Sequence, residues 1–265
     1  MSHLHRDLAP ISAAAWTVIE DEARRTLKTM LAARKLADFR GPLGWETASV
    51  STGRADSAPP LRGCDAETKL RLVLPLVELR VPFVLQRSEI DAVDRGAQDP
   101  ETEPVKAAAR RIAIAEDRAV FHGYPAAHIR GMCETDAAGR LNLGDAVAGY
   151  PAAIAAALNR LRDRGVGGPY AVALSEHAYT DLIEATHDGY PVLEHVRRLV
   201  DGPLIWAPGL DGALVVSQRG GDFALTVGQD FSIGYLSHDA EHVRLYLEES
   251  FTFQSITPEA AVPLA

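Results

Sequence analysis

Between residues 12 and 35 apolar side chains recur at spacings of three and four: Trp16, Ile19, Ala23, Leu27, Met30 and Leu31 share one face, while Glu20, Asp21, Arg24, Arg25 and Lys28 take the other. This periodicity predicts an amphipathic helix with Ser12 as its N-cap. Gly41-Pro42-Leu43-Gly44 ends it, and residues 45–70 then run without apolar periodicity through Pro59-Pro60 and Gly63. So long a stretch without a core of its own is either disordered or an arm that finds partners on another molecule. From 70 to 84 the chain becomes apolar and extended, with Pro75 and Pro82 confining it to edges or a bend.

A second long helix is expected from Glu103 or Pro104 to Phe121, with Val105, Ala108, Ile112, Ala115, Ala119 and Val120 on one side and Gly123 as its stop. A third, over 145–164, carries Ile154, Leu158 and Leu161 and ends at Gly165. A strand at 171–174, a helix around 179–183, a loop at 186–191 and a helix over 193–200 follow. Strands are expected at 213–217, 223–227, 231–236 and 243–253. Helices in the middle with strands at both ends make an α+β chain.

Composition adds limits. With 47% hydrophobic and 24% charged residues among 265, the chain can build one elaborate domain or two small ones. Its net charge of -9 argues against a polyanion binder. Cys64 and Cys133 are far apart and in no metal-ligand spacing, which reads as two reduced thiols. Residues 1–7 are polar, without the apolar core of a secretion signal, and no stretch reaches the ~18 apolar residues of a membrane span. The expectation is a cytoplasmic protein.

The search for chemistry yields little. No His-Glu-x-x-His, Cys-x-x-Cys or Gly-x-Ser-x-Gly occurs. His238 and His242 stand four apart, but between strands, where that spacing does not converge on a metal. The glycines at 165–168 and 220–221 lack the register and lysine of a phosphate loop and read as turns. Glu116 and Asp117, adjacent on a helix, point about 100° apart and read as ion-paired structural groups near Arg118. No catalytic residue, metal or cofactor is expected, although a hydrolase assembled by folding stays open.

Strings spread along the chain point elsewhere. Arg6-Asp7-Leu8-Ala9-Pro10 precedes the first helix, and Arg34-Lys35-Leu36-Ala37-Asp38-Phe39 leads into Gly41-Pro42-Leu43-Gly44-Trp45-Glu46. Glu78-Leu79-Arg80-Val81-Pro82-Phe83, Ala115-Glu116-Asp117-Arg118 and Asp188-Gly189-Tyr190-Pro191 follow. Ile205-Trp206-Ala207-Pro208, Arg219-Gly220-Gly221-Asp222-Phe223, Gly228-Gln229-Asp230-Phe231-Ser232-Ile233-Gly234-Tyr235 and Phe251-Thr252-Phe253 close the series. In this order and spacing, from about residue 4 onward, the chain resembles the encapsulin or linocin-like family.

The resemblance implies the tailed-bacteriophage major capsid fold of the Hong Kong 97 type. It would comprise an N-terminal helix and arm (1–44), an extended loop (45–71), a peripheral domain (72–130 and 220–265) and an axial domain (131–219). It also implies self-assembly into a hollow icosahedral shell of a multiple of sixty subunits around a cargo enzyme that carries a short C-terminal tail. Dye-decolourising peroxidases and ferritin-like proteins are the family's usual cargoes. Carried onto this sequence, the cargo pocket would take Leu36 and Ile233 as apolar contacts, Arg34 and Asp38 as orienting charges, and Asp230 and Tyr235 beside them. Each also has a plainer reading: Leu36 and Ile233 as core, Arg34 and Asp38 as a mutual ion pair. His187, Asp188, Gly189 and Tyr190 would line a five-fold pore. Some members carry an aromatic residue linked to flavin just before the segment that here reads Glu89-Ile90-Asp91; this chain has Arg87-Ser88, so no flavin is expected. The rivals are a prophage capsid enclosing nucleic acid, for which no scaffolding or propeptide extension precedes Arg6, and a hydrolase.

Overall fold

A computed structural model describes residues 3–134, 139–144, 146–187 and 189–265. The first helix, α1 (Ala13–Met30), starts as its sequence predicts: the Ser12 hydroxyl accepts the Ala15 N–H, and Ala15, Ile19, Ala23, Leu27 and Met30 form its buried stripe. It ends short of the expected Lys35 because another helix takes over its backbone donors. The N–H groups of Ala32 and Ala33 donate to the Asp117 carboxylate at 3.0 and 2.9 Å. A helix continuing through them would bond those donors to its own carbonyls. The chain instead makes a short 3-10 turn at Ala33–Lys35 and enters β1 (Asp38–Arg40).

The expected coreless segment is a two-stranded antiparallel ribbon, β2 (Ser49–Ala58) and β3 (Thr68–Pro75), paired from Ser49 opposite Pro75 to Ala58 opposite Thr68. It runs four residues past the expected loop and, among the described residues, pairs with no other strand of its own chain. Pro75 marks the bend into β4 (Val77–Gln86), which is followed by α2 (Arg87–Asp94) and α3 (Glu103–His122). Further on come α4 (Tyr150–Asp163), β5 (Tyr170–Leu174), α5 (Glu176–Glu184), β6 (Thr186–His187), β7 (Tyr190–Pro191) and α6 (Val192–Leu199). The chain closes with β8 (Leu204–Trp206), β9 (Ala213–Ser217), β10 (Phe223–Val227), β11 (Ser232–His238), β12 (His242–Ser255) and β13 (Ala261–Leu264).

Two sheets organise these elements. In the first, β1, β10, β12 and β11 are ordered side by side, and β4 pairs with β12 along its length. Because β12 is β4's sole strand partner among the described residues, Pro82 sits on an edge, where its missing N–H breaks no ladder. Helix α3 packs on β4 and β12, and α1 packs on α3. The second sheet, ordered β13-β9-β5-β8, is flanked by α4 and α5, with α6 against both helices. Residues 261–264, expected with the 72–130 and 220–265 segments, form β13 and pair with β9 in the second sheet.

The buried apolar residues form two cores, and the first sheet contributes to both: β10 and the far end of β12 pack into the core that the second sheet builds. Val81, Phe83, Leu85, Ile112, Ile233 and Leu247 belong to the one beneath α1; Leu36, Phe121, Leu174, Leu214 and Phe253 belong to the other. The expected loop at 186–191 is tightened into a hairpin, with His187 opposite Tyr190 and Gly189 at a φ of 79°. Asp188 lies outside the described residues.

Candidate functional site

A groove of about 490 Å³ runs between α1, the segment before it, and the start of β11. Its floor is apolar, from Leu27 on α1 and Leu31 just past its end, Phe231 and Ile233 at β11, and Leu247 on β12. Ala23 on the same helical stripe is too small to fill the space, while Leu4 and Arg6 form a wall. That wall is held on both sides. The Leu4 carbonyl accepts the Tyr235 N–H at 2.8 Å, and Arg6 pairs with Glu20 at 2.5 Å while lying 4.1 Å over the Trp16 ring. His3 meets the buried Glu248 carboxylate at 2.8 Å and stacks on Trp45 with ring centres 4.0 Å apart. Arg80 takes the other Glu248 oxygen, also at 2.8 Å.

Behind the groove lies a buried charge cluster. Arg34 donates from Nη2 to Glu116 at 2.6 Å and to Glu249 at 2.9 Å, and from Nη1 to Asp230 at 2.8 Å. Its guanidinium lies over the Phe231 ring at 4.4 Å and over the Phe39 ring at 5.2 Å. Burial opposes its charge, but the hydrogen bond to Glu116 and the charges of Glu116, Glu249 and Asp230 outweigh this and hold its pKa above the ordinary value. Glu249, fully buried, is held well above the usual carboxyl range, first by burial and then by the charge of Glu116. Asp117, next to Glu116 on α3, is pushed up to about 7 by burial, against the lowering effect of the two N–H donors from Ala33 and Ala32. Glu116 thus does pair, as its sequence context suggests, but with Arg34 across the fold rather than with the exposed Arg118.

The six residues expected to share one pocket are divided. Asp230 and Ile233 line the groove. Arg34 stands behind it and reaches it through Asp230 and Phe231. Tyr235 holds the wall from the side, its N–H on Leu4 and its hydroxyl 2.6 Å from His238 Nδ1. Leu36 and Asp38 are elsewhere, beside a small polar cleft with Ser217, Gln218 and Phe223, where Asp38 accepts the Gly221 N–H at 2.6 Å. The 3-10 turn at Ala33–Lys35 accounts for the division, since it sends Leu36 into the second core. Arg34 and Asp38 pair with other partners, so the alternative of a mutual ion pair is also set aside.

At the 186–191 hairpin, Tyr190 stacks on His195 at 4.9 Å and accepts a 2.6 Å hydrogen bond from Arg198. His242 turns its Nδ1 to Asp239 at 3.3 Å, and among the described residues no cluster of three or more His, Cys, Asp or Glu side chains could hold a metal. Cys64 is an exposed free thiol; Cys133 is buried, which pushes its thiol up to about 12.

A family model described as "Encapsulating protein for peroxidase" matches residues 1–252. The type 1 encapsulin shell protein of Rhodospirillum rubrum is 57% identical over 270 residues, covering 100% of this chain and 96% of the relative. That of Mycobacterium tuberculosis is 50% identical over 266 residues, covering 100% of both. Among solved structures, the virus-like particle from Pyrococcus furiosus matches with a TM-score of 0.65 at 16% identity, over 94% of this chain and 99% of that one. The capsid of Myoviridae phage XM1 matches with a TM-score of 0.53 at 11% identity, over 86% and 88%. At such identities the likeness is one of fold, and the fold is the expected Hong Kong 97-type capsid fold. With the family match and full-length relatives at 50% identity and above, the chain belongs to the encapsulin family, the encapsulating proteins for peroxidase.

Proposed function

We propose that this chain is the shell subunit of an encapsulin nanocompartment, closing into a hollow icosahedral particle of a multiple of sixty copies. The particle would enclose a cargo enzyme and admit small solutes through pores. The observation that carries this is the ribbon of β2 and β3: neither core takes a described residue from it, and it leaves Leu70 and Val73 exposed, with Leu61 exposed in the connection between its strands. A two-stranded ribbon on its own is marginal in water, so it fits a partner subunit. A peroxidase is the first candidate cargo, in keeping with the family's description, and a ferritin-like protein the second. The tail of that cargo would dock in the groove between α1 and β11, with Ile233 and Asp230 in contact and Arg34 positioning them. His187, Asp188, Gly189 and Tyr190 would line the five-fold opening. Among the described residues no helix is long and apolar enough to cross a membrane, and the cytoplasm is the location that goes with this reading.

Burial of one Leu or Ile side chain of the tail in the groove is worth roughly 1.5–3 kcal/mol. Such contacts bind weakly singly, and a multimeric cargo multiplies them. Ile233→Asp should therefore abolish co-purification of a tail-bearing peroxidase while hollow spheres still show in negative stain, because an unpaired carboxylate is costly there. Ile233 is only 4% exposed, so Ser232→Trp, at a half-buried lining position, serves as a second variant that fills the groove without touching the core. Normal loading by both variants would sink the docking site. A wild-type preparation that stays monomeric or dimeric would sink the shell, and particles holding nuclease-resistant nucleic acid would favour a prophage capsid.

A further inference from the structure

The charges along the groove are unevenly matched. Three cations, Arg6, Arg24 and Lys28, line it with two carboxylates, Glu20 and Asp230. Arg6 is taken by Glu20, Arg24 by Asp21 at 2.6 Å, and Asp230 by Arg34. Lys28 has no ion-pair partner among the described residues. It lies on α1 between Leu27 and Leu31, which both line the apolar floor, so an ammonium and a hydrophobic surface are offered side by side. The chain as a whole carries -9, which makes a cationic groove a local exception rather than a reflection of overall charge.

We propose that the groove selects an apolar tail bearing an acidic side chain, Asp or Glu, that pairs with Lys28. The proposal rests on the reading of the groove as the cargo-docking site and adds the chemistry of what docks. Residues three apart on a helix have Cβ atoms about 5–6 Å from each other. The acid therefore belongs within about two residues of the apolar side chain that packs on Leu31 and Ile233. The apolar contacts supply most of the affinity, and the Lys28 pair supplies register and choice between tails.

The test uses the assembled shell and a monomeric fluorescent reporter, which removes avidity. The reporter is co-expressed with a short Leu/Ile/Gly/Ser tail carrying Glu, Gln or Lys at one position. Each tail continues for several Gly/Ser residues, so that its terminal carboxylate lies beyond the groove. Fluorescence per shell should rank Glu above Gln above Lys, with Glu about two- to fivefold over Gln, the range of a part-exposed ion pair. The preference should shrink as salt is raised. Lys28→Gln should erase the preference, and Lys28→Glu should invert it in favour of the Lys tail. Equal loading of all three tails by the unmodified shell, lost in Ser232→Trp, would overturn the charge selection and leave the docking site standing. A preference that survives Lys28→Glu would place the charge reader elsewhere. A preference seen only when the Gly/Ser extension is removed would assign it to the tail's terminus and overturn the side-chain assignment. Loading of all three tails by Ser232→Trp at the unmodified level would overturn the docking site itself, and the proposal with it.

Discussion

Arg34 is the side chain on which the geometry of the groove depends. It joins the turn after α1 to Glu116 on α3, Glu249 on β12 and Asp230 before β11, and its guanidinium supports Phe231 from behind. Removing the cation while keeping the acids leaves buried carboxylates without a counter-charge, which typically costs about 3–5 kcal/mol. Arg34→Met should show that loss near neutral pH. The sign with pH follows from the carboxyls. A buried carboxyl whose folded pKa is raised, as for Glu249, contributes stability that is fully present below its unfolded pKa and is lost as pH rises through its folded pKa. Without Arg34, which lowers it, the folded value of Glu249 rises further, so the deficit should shrink as pH falls from 7.5 towards 5. Melting of purified shells across that range, wild type against Arg34→Met, measures it. Equal deficits at both ends would mean that the acids are not what the arginine neutralises. A loss of cargo in such a variant would then trace to Asp230 and Phe231 rather than to a direct contact with the tail.

At the scale of elements, the sequence was most legible where apolar periodicity, or a short apolar run, is bounded by caps, glycines and acidic turns. The stripe and cap of α1, the span of α3 and the strands β9 and β10 follow from periodicity and punctuation in the sequence. The illegible elements are those fixed by distant partners. Helix α2 buries only Ile90, β1 exists because it pairs with β10, and β13 because it pairs with β9. The site was legible in part for the same reason: Ile233 and Asp230 line the groove, but Leu36 faces a different core and Arg34 stands behind. Leu27, Leu31, Leu4 and Lys28 were not singled out as lining, since a leucine on a buried stripe looks the same whether it meets a core or a groove. The wall formed by residues 3–6 is the clearest such case. Truncating the chain ahead of Leu8 removes the acceptor of the Tyr235 N–H and one partner of Glu248. Hydrogen exchange in the 232–238 peptide should then quicken by about tenfold for every 1.4 kcal/mol of lost local protection. Tail loading should fall while shells persist. Unchanged exchange at Tyr235 would show that the wall contributes nothing to the groove.

For the whole molecule, the decisive question is what holds the ribbon. Among the described residues neither core includes one between Asp38 and Leu76, so the subunit is expected to fold without the outer part of the ribbon. Yet the ribbon spans ten- and eight-residue strands with apolar side chains in the open, Leu70 at 63% and Val73 at 47% exposure. Free strand edges with apolar residues invite pairing with another chain. In a closed shell each such contact recurs at every symmetry-related position, so a modest contribution per ribbon is multiplied over the particle. Deleting residues 52–67 should therefore separate folding from assembly. The truncated subunit should keep its far-ultraviolet circular dichroism and a cooperative melt, but elute as small species and give few or no spheres in negative stain. Its melting point should stay close to that of dissociated wild-type subunits, because no core contact is lost. Intact shells from the deletion would mean that the ribbon is not an assembly element, whereas an unfolded subunit would mean that it supports its own chain after all.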